Sequence, residues 1–298
     1  MKIAFIIKGL IKNKFRLTEE IMDPFPAAEI FETKQAFHAV ELAKNVVENN
    51  FTHIIAVGGD GTLSEVVNGM ALSGKENLPV LGLLSYGTAN DFSKTTKLYG
   101  SISQLKNLIE NNSTRKIDIG NVKFTGKNQM PEERYFINIG DIGIGGQIVE
   151  NINTGKKIFN ADMTFFLETL KAMFSYKRSK VKCRCKEFNW EGKTLSMVIA
   201  NGKYFGSGLC IAPDAELSDG KLNMVILGDV TIVDYLKNLS KVKRGEKIID
   251  PEVFYKEANE IEIIPLESKC PIDLDGEFIG YAHATFKIIP GKIDFLMP

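Results

Sequence analysis

The residues most suited to chemistry follow an apolar segment in the first third of the chain. Gly58-Gly59-Asp60-Gly61-Thr62 comes directly after Ile54–Val57 and before apolar residues at helical spacing. This pattern predicts a buried strand, a glycine turn and a helix. The first N–H groups of a helix lack internal partners and lie at its positive end, so the junction can bind phosphate. Because a carboxylate has no direct use for phosphate, we expect Asp60 to bond loop amides or to approach the anion through a metal ion.

A second loop repeats this arrangement. Val80–Leu84 predicts a strand, and Gly87-Thr88-Ala89-Asn90-Asp91 follows it. In a parallel sheet, ligands gather outside the carboxyl ends of the strands, so we expect the two loops to form the two sides of one cleft. Taken alone, Asn90 and Asp91 are typical of a turn or a helix N-cap.

A late acidic motif, Asp275-Gly276-Glu277, offers a base. Phosphoryl transfer needs a cradle for the donor phosphates, Mg²⁺ and a group that orients or deprotonates the attacking hydroxyl. In an extended segment the two carboxylates would share a face, and their repulsion would raise one pKa toward the working range. Without other information, this tripeptide is most often a turn between strands.

The ordered set of motifs resembles the diacylglycerol-kinase-like lipid kinases, including their bacterial branch. Besides the two glycine loops and the 275–277 motif, the resemblance rests on residues 201–206, 212–215 and 219–222. It spans nearly the whole chain in the right order, whereas the first motif alone is shared with NAD kinases.

The resemblance implies ATP and Mg²⁺ as cofactors and assigns roles to individual residues. The implied catalytic residues are Asp275 and Glu277, with Asp275 as the base. The implied nucleotide-binding residues are Gly58, Gly59, Asp60, Gly61, Thr62, Gly87, Thr88, Asn90 and Asp91. Asp219 matches a loop that binds a structural Mg²⁺ in bacterial members, Asp118 matches the aspartate linked to that ion through water, and Asp60 is a third metal candidate. The chain departs from the family after Ile7, where residues 8–12 (Lys-Gly-Leu-Ile-Lys) stand in place of an Asn-Pro pair. Either Lys8 or Lys12 contacts the phosphates instead, or nucleotide binding is weakened.

Composition narrows the class of protein. The 298 residues carry 37 Lys plus Arg and 37 Asp plus Glu, so no overall charge favours nucleic acid. Four cysteines are few for this length and suggest a reducing compartment. With no signal peptide and no apolar run approaching 18 residues, we expect a cytoplasmic protein, peripheral to the inner face of the membrane. A homodimer is compatible with the sequence, which does not specify oligomeric state.

The element pattern changes near residue 120. Strand candidates at 3–7, 27–31, 53–57 and 80–84 alternate with helices such as 36–48, which predicts a parallel sheet covered by helices. Later strand candidates lie at 115–124, 134–141, 180–187, 194–201, 222–228, 259–264 and 284–289, with helices near 162–175 and 231–242. We therefore predict α/β plus β: an NAD-kinase-like α/β nucleotide-binding domain at 1–120, and a mainly antiparallel β-sandwich domain for the lipid substrate at 121–298. Residues near 290–298 could return to the first domain.

One strand candidate presents four cations, Lys180, Lys182, Arg184 and Lys186, in alternation with apolar residues. Beside the apolar helix at 162–175, which contains Phe165, Phe166, Leu170, Met173 and Phe174, it could dock on anionic lipid. A solvated strand face and a core helix explain the pattern slightly better. Charge reversal at Lys182 and Arg184 distinguishes the two.

The sequence thus predicts an ATP- and Mg²⁺-dependent lipid kinase with diacylglycerol as the leading acceptor. A sphingoid base or phosphatidylglycerol is nearly as compatible. Two other classes stay open: an NAD kinase, which the 201–222 block disfavours, and a non-catalytic lipid- or nucleotide-binding regulator, which only the altered segment after Ile7 supports.

Overall fold

The computed structural model describes residues 1–154, 167–169, 171–172 and 174–298. The chain divides into two compact units. Unit 1 comprises Met1–Ile119, Gly206–Gly208 and Pro290–Pro298, and unit 2 comprises Gly120–Phe205 and Leu209–Ile289. The predicted helix near 162–175 lies largely outside the described residues, as do Phe165, Phe166, Leu170 and Met173.

Unit 1 is a parallel sheet with helices. Its elements are β1 (Ile3–Ile7), α1 (Lys14–Met22), β2 (Glu29–Glu32), α2 (His38–Glu48), β3 (His53–Gly58), α3 (Asp60–Leu72), β4 (Val80–Ser85), α4 (Asp91–Thr96) and α5 (Ile102–Glu110). The strand order is β2-β1-β3-β4, with every pair parallel. Phe295, from the returning C-terminal segment, pairs with Leu81 of β4. All residues of β1 and β3 are buried, because helices cover a parallel sheet.

Close packing of α2 on α3 depends on one glycine. A Cβ on Gly69 would lie 2.3 Å from the carbonyl oxygen of Val40, so only glycine permits this approach. The predicted helix 36–48 begins two residues later, at His38, since Phe37 adopts a left-handed conformation with φ 64°.

Unit 2 is built from antiparallel strands. It contains the end of β5 (Thr114–Gly126) and the start of β17 (Glu277–Leu296). The elements between them are β6 (Pro131–Phe136), β7 (Ile139–Gly143), α6 (Ile144–Thr154), β8 (Ser179–Cys185), β9 (Phe188–Thr194), β10 (Ser196–Ala200), β11 (Tyr204–Phe205), β12 (Leu209–Cys210), β13 (Leu222–Leu227), α7 (Ile232–Lys243), β14 (Val253–Ala258), β15 (Glu260–Pro265) and β16 (Pro271–Leu274).

The strands of unit 2 pair in two runs. One run has the order β14-β13-β10-β7-β16-β17. In the other, β15 pairs with β17 and β8, β8 pairs with β9, and β5 pairs with β6. The faces of β10 alternate between two cores: Met197 and Ile199 join a core with β5, β15 and β17, whereas Val198 and Ala200 pack in a second core with α7.

The predicted fold class, α/β followed by mainly antiparallel β, is confirmed. Within unit 2 two predictions were wrong. The single strand at 134–141 is two strands, β6 and β7, separated by Ile137 and Asn138. Five strands, β9, β11, β12, β14 and β16, were not predicted.

Candidate functional site

The first glycine loop joins β3 to α3 as expected. Gly59 is the N-cap of α3, and the first intrahelical bond runs from Leu63 N–H to the Gly59 carbonyl at 3.1 Å. Helix geometry therefore leaves the N–H groups of residues 60–62 without intrahelical partners. A Cβ on Gly58 would lie 2.4 Å from Thr62 Oγ1, whereas a Cβ on Gly61 would meet nothing within 4 Å. The turn is packed on its inner side and open at Gly61.

Asp60 bonds loop amides. Its two carboxylate oxygens accept hydrogen bonds from the N–H groups of Asp91 and Phe92, both at 3.0 Å. Burial raises the pKa of Asp60, while these two N–H groups lower it. The carboxylate at the start of α3 thus ties down the start of α4, and the two predicted loops are joined in unit 1.

The second loop touches the first through its glycine. A Cβ on Gly87 would lie 2.5 Å from the Cα of Gly59. Asn90, with φ 48°, accepts from Gly87 N–H at 2.9 Å and donates to the Gly87 carbonyl at 2.8 Å. Asn90 therefore closes a turn, and Thr88 at its tip is exposed.

Asp91 is a buried anchor with a cation beside it. One carboxylate oxygen pairs with Lys94 Nζ at 2.6 Å, and the other accepts from Ser207 N–H at 2.9 Å. Lys94 also donates to the Ala89 carbonyl at 2.8 Å. Sequence reasoning missed Lys94, although a lysine three residues after an aspartate on a helix is a recognisable pairing signal.

The altered segment after β1 lies at the same edge of the parallel sheet. Gly9 N–H bonds Thr33 Oγ1 at 3.1 Å, and a Cβ on Gly9 would lie 2.1 Å from the Thr33 carbonyl oxygen. Glycine keeps this loop tight. Lys8 and Lys12 are exposed, so their charges can reach a ligand at this edge.

Asp275 lies in a two-residue hairpin turn between β16 and β17. Leu274 pairs with Glu277, and the two turn residues have left-handed φ values, 50° for Asp275 and 88° for Gly276. Asp-Gly is the sequence that such turns prefer. The expectation of an extended segment that aligns the carboxylates of Asp275 and Glu277 was therefore wrong, because the turn reverses the chain between them.

Three backbone amides hold the Asp275 carboxylate. The N–H of Ile137 donates to one oxygen at 3.1 Å, and those of Asn138 and Ile139 donate to the other at 3.1 and 2.9 Å. Asp275 N–H returns a bond to the Ile139 carbonyl at 2.9 Å. These bonds hold the chain in the bend between β6 and β7, and this is why the predicted single strand is interrupted there.

The 201–206 block supports the same bend from another direction. Asn201 Nδ2 donates to the Ile137 carbonyl at 2.7 Å, and the N–H groups of Asn201 and Gly202 donate to the Asn138 carbonyl. Asn138 Nδ2 donates in turn to the Tyr204 carbonyl at 2.9 Å. Asp275 is therefore positioned by a network within unit 2, and Glu277 beside it is partly buried.

The two proposed partners of a structural metal lie in different units. Asp118, buried in unit 1, accepts from Gly291 N–H at 2.7 Å and so holds the returning C-terminal segment. Asp219, exposed in unit 2, accepts from Lys221 N–H at 3.0 Å. In the part of the chain that the structure describes, no three His, Cys, Asp or Glu side chains are arranged to hold a metal ion. Because Mg²⁺ keeps several waters and needs only one or two carboxylates, the Asp219 loop still suits a hydrated ion.

The basic strand is β8, which ends at Cys185, so that Lys186 lies in the turn beyond the strand predicted to include it. Val181 and Cys183 are buried as the alternation predicts. Two of its cations have acidic partners: Lys180 pairs with Glu191 at 2.8 Å and Arg184 pairs with Glu262 at 3.5 Å. Among the described residues, no helix combines the length and hydropathy required to cross a bilayer.

Comparisons with known proteins identify both parts of the chain. Residues 8–122 match the family described as diacylglycerol kinase catalytic domain, and residues 141–297 match the YegS C-terminal NAD kinase beta sandwich-like domain. A diacylglycerol kinase of Bacillus subtilis is 28% identical over 267 residues, 89% of this chain and 84% of that protein. A probable lipid kinase YegS-like of Serratia proteamaculans is 26% identical over 293 residues, 98% of this chain and 92% of that protein.

A solved structure shows the same fold. A diacylglycerol kinase from Bacillus anthracis is 20% identical with a TM-score of 0.72, covering 100% of this chain and 97% of that one. The two matched domains together span residues 8 to 297 in the expected order. The chain therefore belongs to the diacylglycerol-kinase-like lipid kinases, with a diacylglycerol kinase catalytic domain followed by a YegS-type NAD kinase beta sandwich-like domain.

Proposed function

We propose that this lipid kinase transfers the γ-phosphate of ATP to the hydroxyl of diacylglycerol, which gives phosphatidic acid. The observation that carries the proposal is the double glycine loop of unit 1, in which Asp60 bonds the first amides of α4. The start of α4 is thereby fixed beside the first turn of α3, whose own first N–H groups lack intrahelical partners and can bind a phosphate. The names of the relatives from Bacillus and Serratia support a lipid acceptor.

The donor phosphates would lie against the first N–H groups of α3. Gly61 leaves open space there, and Gly58, Gly59 and Thr62 shape the turn. Gly87, Thr88, Asn90 and Asp91 would line the facing loop. Lys94, which sequence reasoning missed, is the cation held at this loop, with its side chain 36% exposed.

In unit 2, Asp275 would act as the base. The acceptor hydroxyl oxygen would form a bond to the γ-phosphorus as the bond to the β-phosphate oxygen breaks, and the hydroxyl proton would pass to the carboxylate. The three backbone N–H groups keep that carboxylate in one orientation. Glu277, two residues later, would assist in binding the acceptor.

Mg²⁺ would neutralise charge on the transferred phosphoryl group. Asp60 would reach the donor ion directly or through water, since each of its oxygens accepts one amide bond and keeps a further lone pair. Asp219 would hold a second, structural ion in unit 2. Asp219→Asn should then abolish any Mg²⁺-induced rise in melting temperature measured without nucleotide, whereas Asp250→Asn, a control in another aspartate turn of unit 2, should leave that rise intact.

The test is transfer of labelled γ-phosphate from Mg·ATP to a panel of lipids in mixed micelles, with NAD as a separate acceptor. Phosphorylation of diacylglycerol supports the proposal. Phosphorylation of phosphatidylglycerol or a sphingoid base changes the acceptor only. Transfer to NAD supports an NAD kinase, and no turnover with any acceptor supports the regulator.

Asp275→Asn tests the base, but its readout must separate chemistry from folding. The asparagine amide would place an N–H₂ group against one of the three backbone donors, which we expect to cost about 1–3 kcal/mol. Urea unfolding and ATP binding should therefore accompany the kinetics. A variant that is folded and binds ATP but has lost phosphoryl transfer supports Asp275 as the base; one that transfers phosphate at near-normal rate refutes it.

We also propose peripheral docking on anionic lipid at the inner face of the membrane, through Lys180, Lys182, Arg184 and Lys186. Unit 2 also has a cavity of about 410 Å³ lined by lysines and serines, which suits an anionic headgroup; its polar lining includes Lys177, Lys269, Ser175, Ser179 and Ser268. Phe174, which precedes the lining residue Ser175 in the chain, is 82% exposed.

Because Lys180 and Arg184 have acidic partners, charge reversal at Lys182 and Lys186 is the sharper test. It should weaken binding to anionic vesicles and leave binding to neutral vesicles unchanged. Lys44→Glu combined with Lys75→Glu, both exposed in unit 1, makes the same change in net charge and is the matched control; equal binding by both variants would contradict docking through β8. Light scattering during the same measurements would reveal a homodimer.

A further inference from the structure

A second carboxyl pair lies beside the candidate catalytic turn. Asp273 on β16 is directly opposite Asp141 on β7, so the two side chains share one face of the sheet. Directly opposed residues have Cβ atoms about 5 Å apart. Neither residue belongs to the motifs that carried the resemblance, so neither has a role in the proposed reaction so far.

Asp273 is joined to the turn that carries Asp275. Its Oδ1 accepts the Gly276 N–H at 2.8 Å, across a turn whose two residues both have left-handed φ values. The position of Asp275 is thus set from two directions: three amides bond its carboxylate, and Asp273 bonds the backbone that follows it. A shift of the Asp273 side chain would shift this turn.

The surroundings of the pair are mostly acidic or polar. Asp141 is buried, accepts from Ser196 Oγ at 2.6 Å, and bonds the Gly145 N–H at the start of α6. Burial raises the pKa of Asp273 well above its ordinary value, and the Asp141 and Asp275 carboxylates raise it further. Burial also raises the pKa of Asp141 to about 6.

Other titratable groups face the pair from the neighbouring elements. Glu277 lies on β17, Tyr235 on α7, and Tyr176 in the segment that leads into β8. The positive charge of Arg178 partly offsets the rise in the pKa of Tyr176 that burial causes. Each of the charged groups that acts on Asp273 itself is a carboxylate: Asp141, Asp275 and Glu277.

We propose that Asp273 is a positioning residue for the Asp275–Gly276 turn, and that ionisation of the Asp141–Asp273 pair controls how firmly the turn is held. The inference rests on the proposed role of Asp275 in phosphoryl transfer. While the pair keeps one proton, only one of the two opposed side chains is charged, and Asp273 accepts from Gly276 N–H. When both are ionised, like charges at this separation repel, and the Asp273 side chain is driven away from the position that holds Gly276.

Two substitutions separate the hydrogen bond from the charge. Asp273→Asn keeps a carbonyl oxygen for Gly276 N–H, but it cannot ionise. Asp273→Ala removes the anchor. We expect Asp273→Ala to lower kcat about 10–100-fold with little change in KM for ATP, since small displacements of a catalytic group have effects of this size. Asp273→Asn should stay close to the parent at low pH and lack the parent's decline in kcat as the pair loses its last proton.

The anchor can be followed independently of kinase activity. In the parent, the Gly276 amide ¹⁵N shift should titrate together with the side-chain carboxyl ¹³C shifts of Asp141 and Asp273, and Asp273→Asn should abolish the Gly276 titration. Asp250→Asn is the matched control, because Asp250 also bonds a nearby backbone N–H, that of Glu252 at 2.8 Å.

The outcomes are distinguishable. A Gly276 shift that ignores the titration of the carboxyl pair overturns the inference, as does equal loss of kcat in the Asn and Ala variants. If Gly276 follows the pair while kcat does not, the control of the turn stands and the proposed role of Asp275 fails. Concerted changes in both readouts, lost in Asp273→Asn, support the inference and the role together.

Discussion

Substitution of Asp60 is the most direct test of the joined loops in unit 1. Asp60→Ala leaves two backbone N–H groups without their carboxylate, and both belong to buried residues: Asp91 is 4% exposed and Phe92 is 0% exposed. A buried donor left unpaired costs about 1–3 kcal/mol, so two donors set a range of about 2–6 kcal/mol. Burial of the Asp60 carboxylate is unfavourable, as its raised pKa indicates, so its removal offsets part of this loss of stability. We therefore expect a net loss of about 2–3 kcal/mol in the free energy of unfolding.

Urea unfolding followed by far-ultraviolet circular dichroism measures this loss, and hydrogen exchange locates it. The amides of Asp91 and Phe92 should exchange faster in Asp60→Ala than in the parent, whereas Asp60→Asn, which keeps one acceptor oxygen, should fall between them. Glu76→Ala, which removes an exposed carboxylate from unit 1, should change stability by less than about 0.5 kcal/mol. If Asp60→Ala is as stable as Glu76→Ala and keeps both amides protected, the bridge does not hold the loops together.

Two further predictions follow from close contacts and from burial. Gly87→Ala would place a methyl group 2.5 Å from the Cα of Gly59, so the two loops must separate. We expect ATP affinity to fall at least about 10-fold and the free energy of unfolding to fall by about 1–3 kcal/mol. An unchanged ATP affinity measured by calorimetry would contradict this close contact. Burial raises the pKa of Asp141 to about 6 from 3.8. The folded state therefore binds this proton more tightly than the unfolded state, and the free energy of unfolding should fall as pH rises from about 4 to about 6. In urea unfolding at several pH values, Asp141→Asn should flatten this part of the stability profile. An unchanged slope would show that other groups cause it.

Local patterns were sufficient to predict the sheet of unit 1 and its loops. The apolar runs at β3 and β4 are short, end at glycine-rich turns and precede helical spacing, so neighbouring residues alone define them. The alternative that Asp60 bonds loop amides could also be stated in advance, because its chemistry offers few other partners. Which amides it bonds depends on the position of α4, which no local pattern specifies.

The missed features of unit 2 depend on contacts between residues distant in sequence. The strand prediction at 134–141 failed because Asp275, 136–138 residues later in the chain, takes the N–H groups of Ile137, Asn138 and Ile139. The opposition of Asp141 and Asp273 likewise depends on strand register, which a single sequence does not reveal. Alternation located β8 and a continuous apolar run located β10, whereas the apolar face of β9 consists of only Phe188 and Trp190 before Gly192.

The aspartates of the two main motifs have the same structural task, and this affects how their substitutions can be interpreted. Asp60 bonds two backbone amides of the next loop, and Asp275 bonds three amides of the bend between β6 and β7. Loss of activity on substitution is therefore expected from either residue even if it never contacts a substrate. Only a variant that keeps its folding free energy and its ATP affinity while losing phosphoryl transfer assigns chemistry to the carboxylate. Measured together, these three quantities show whether Asp275 moves a proton or only shapes the loop that other groups use.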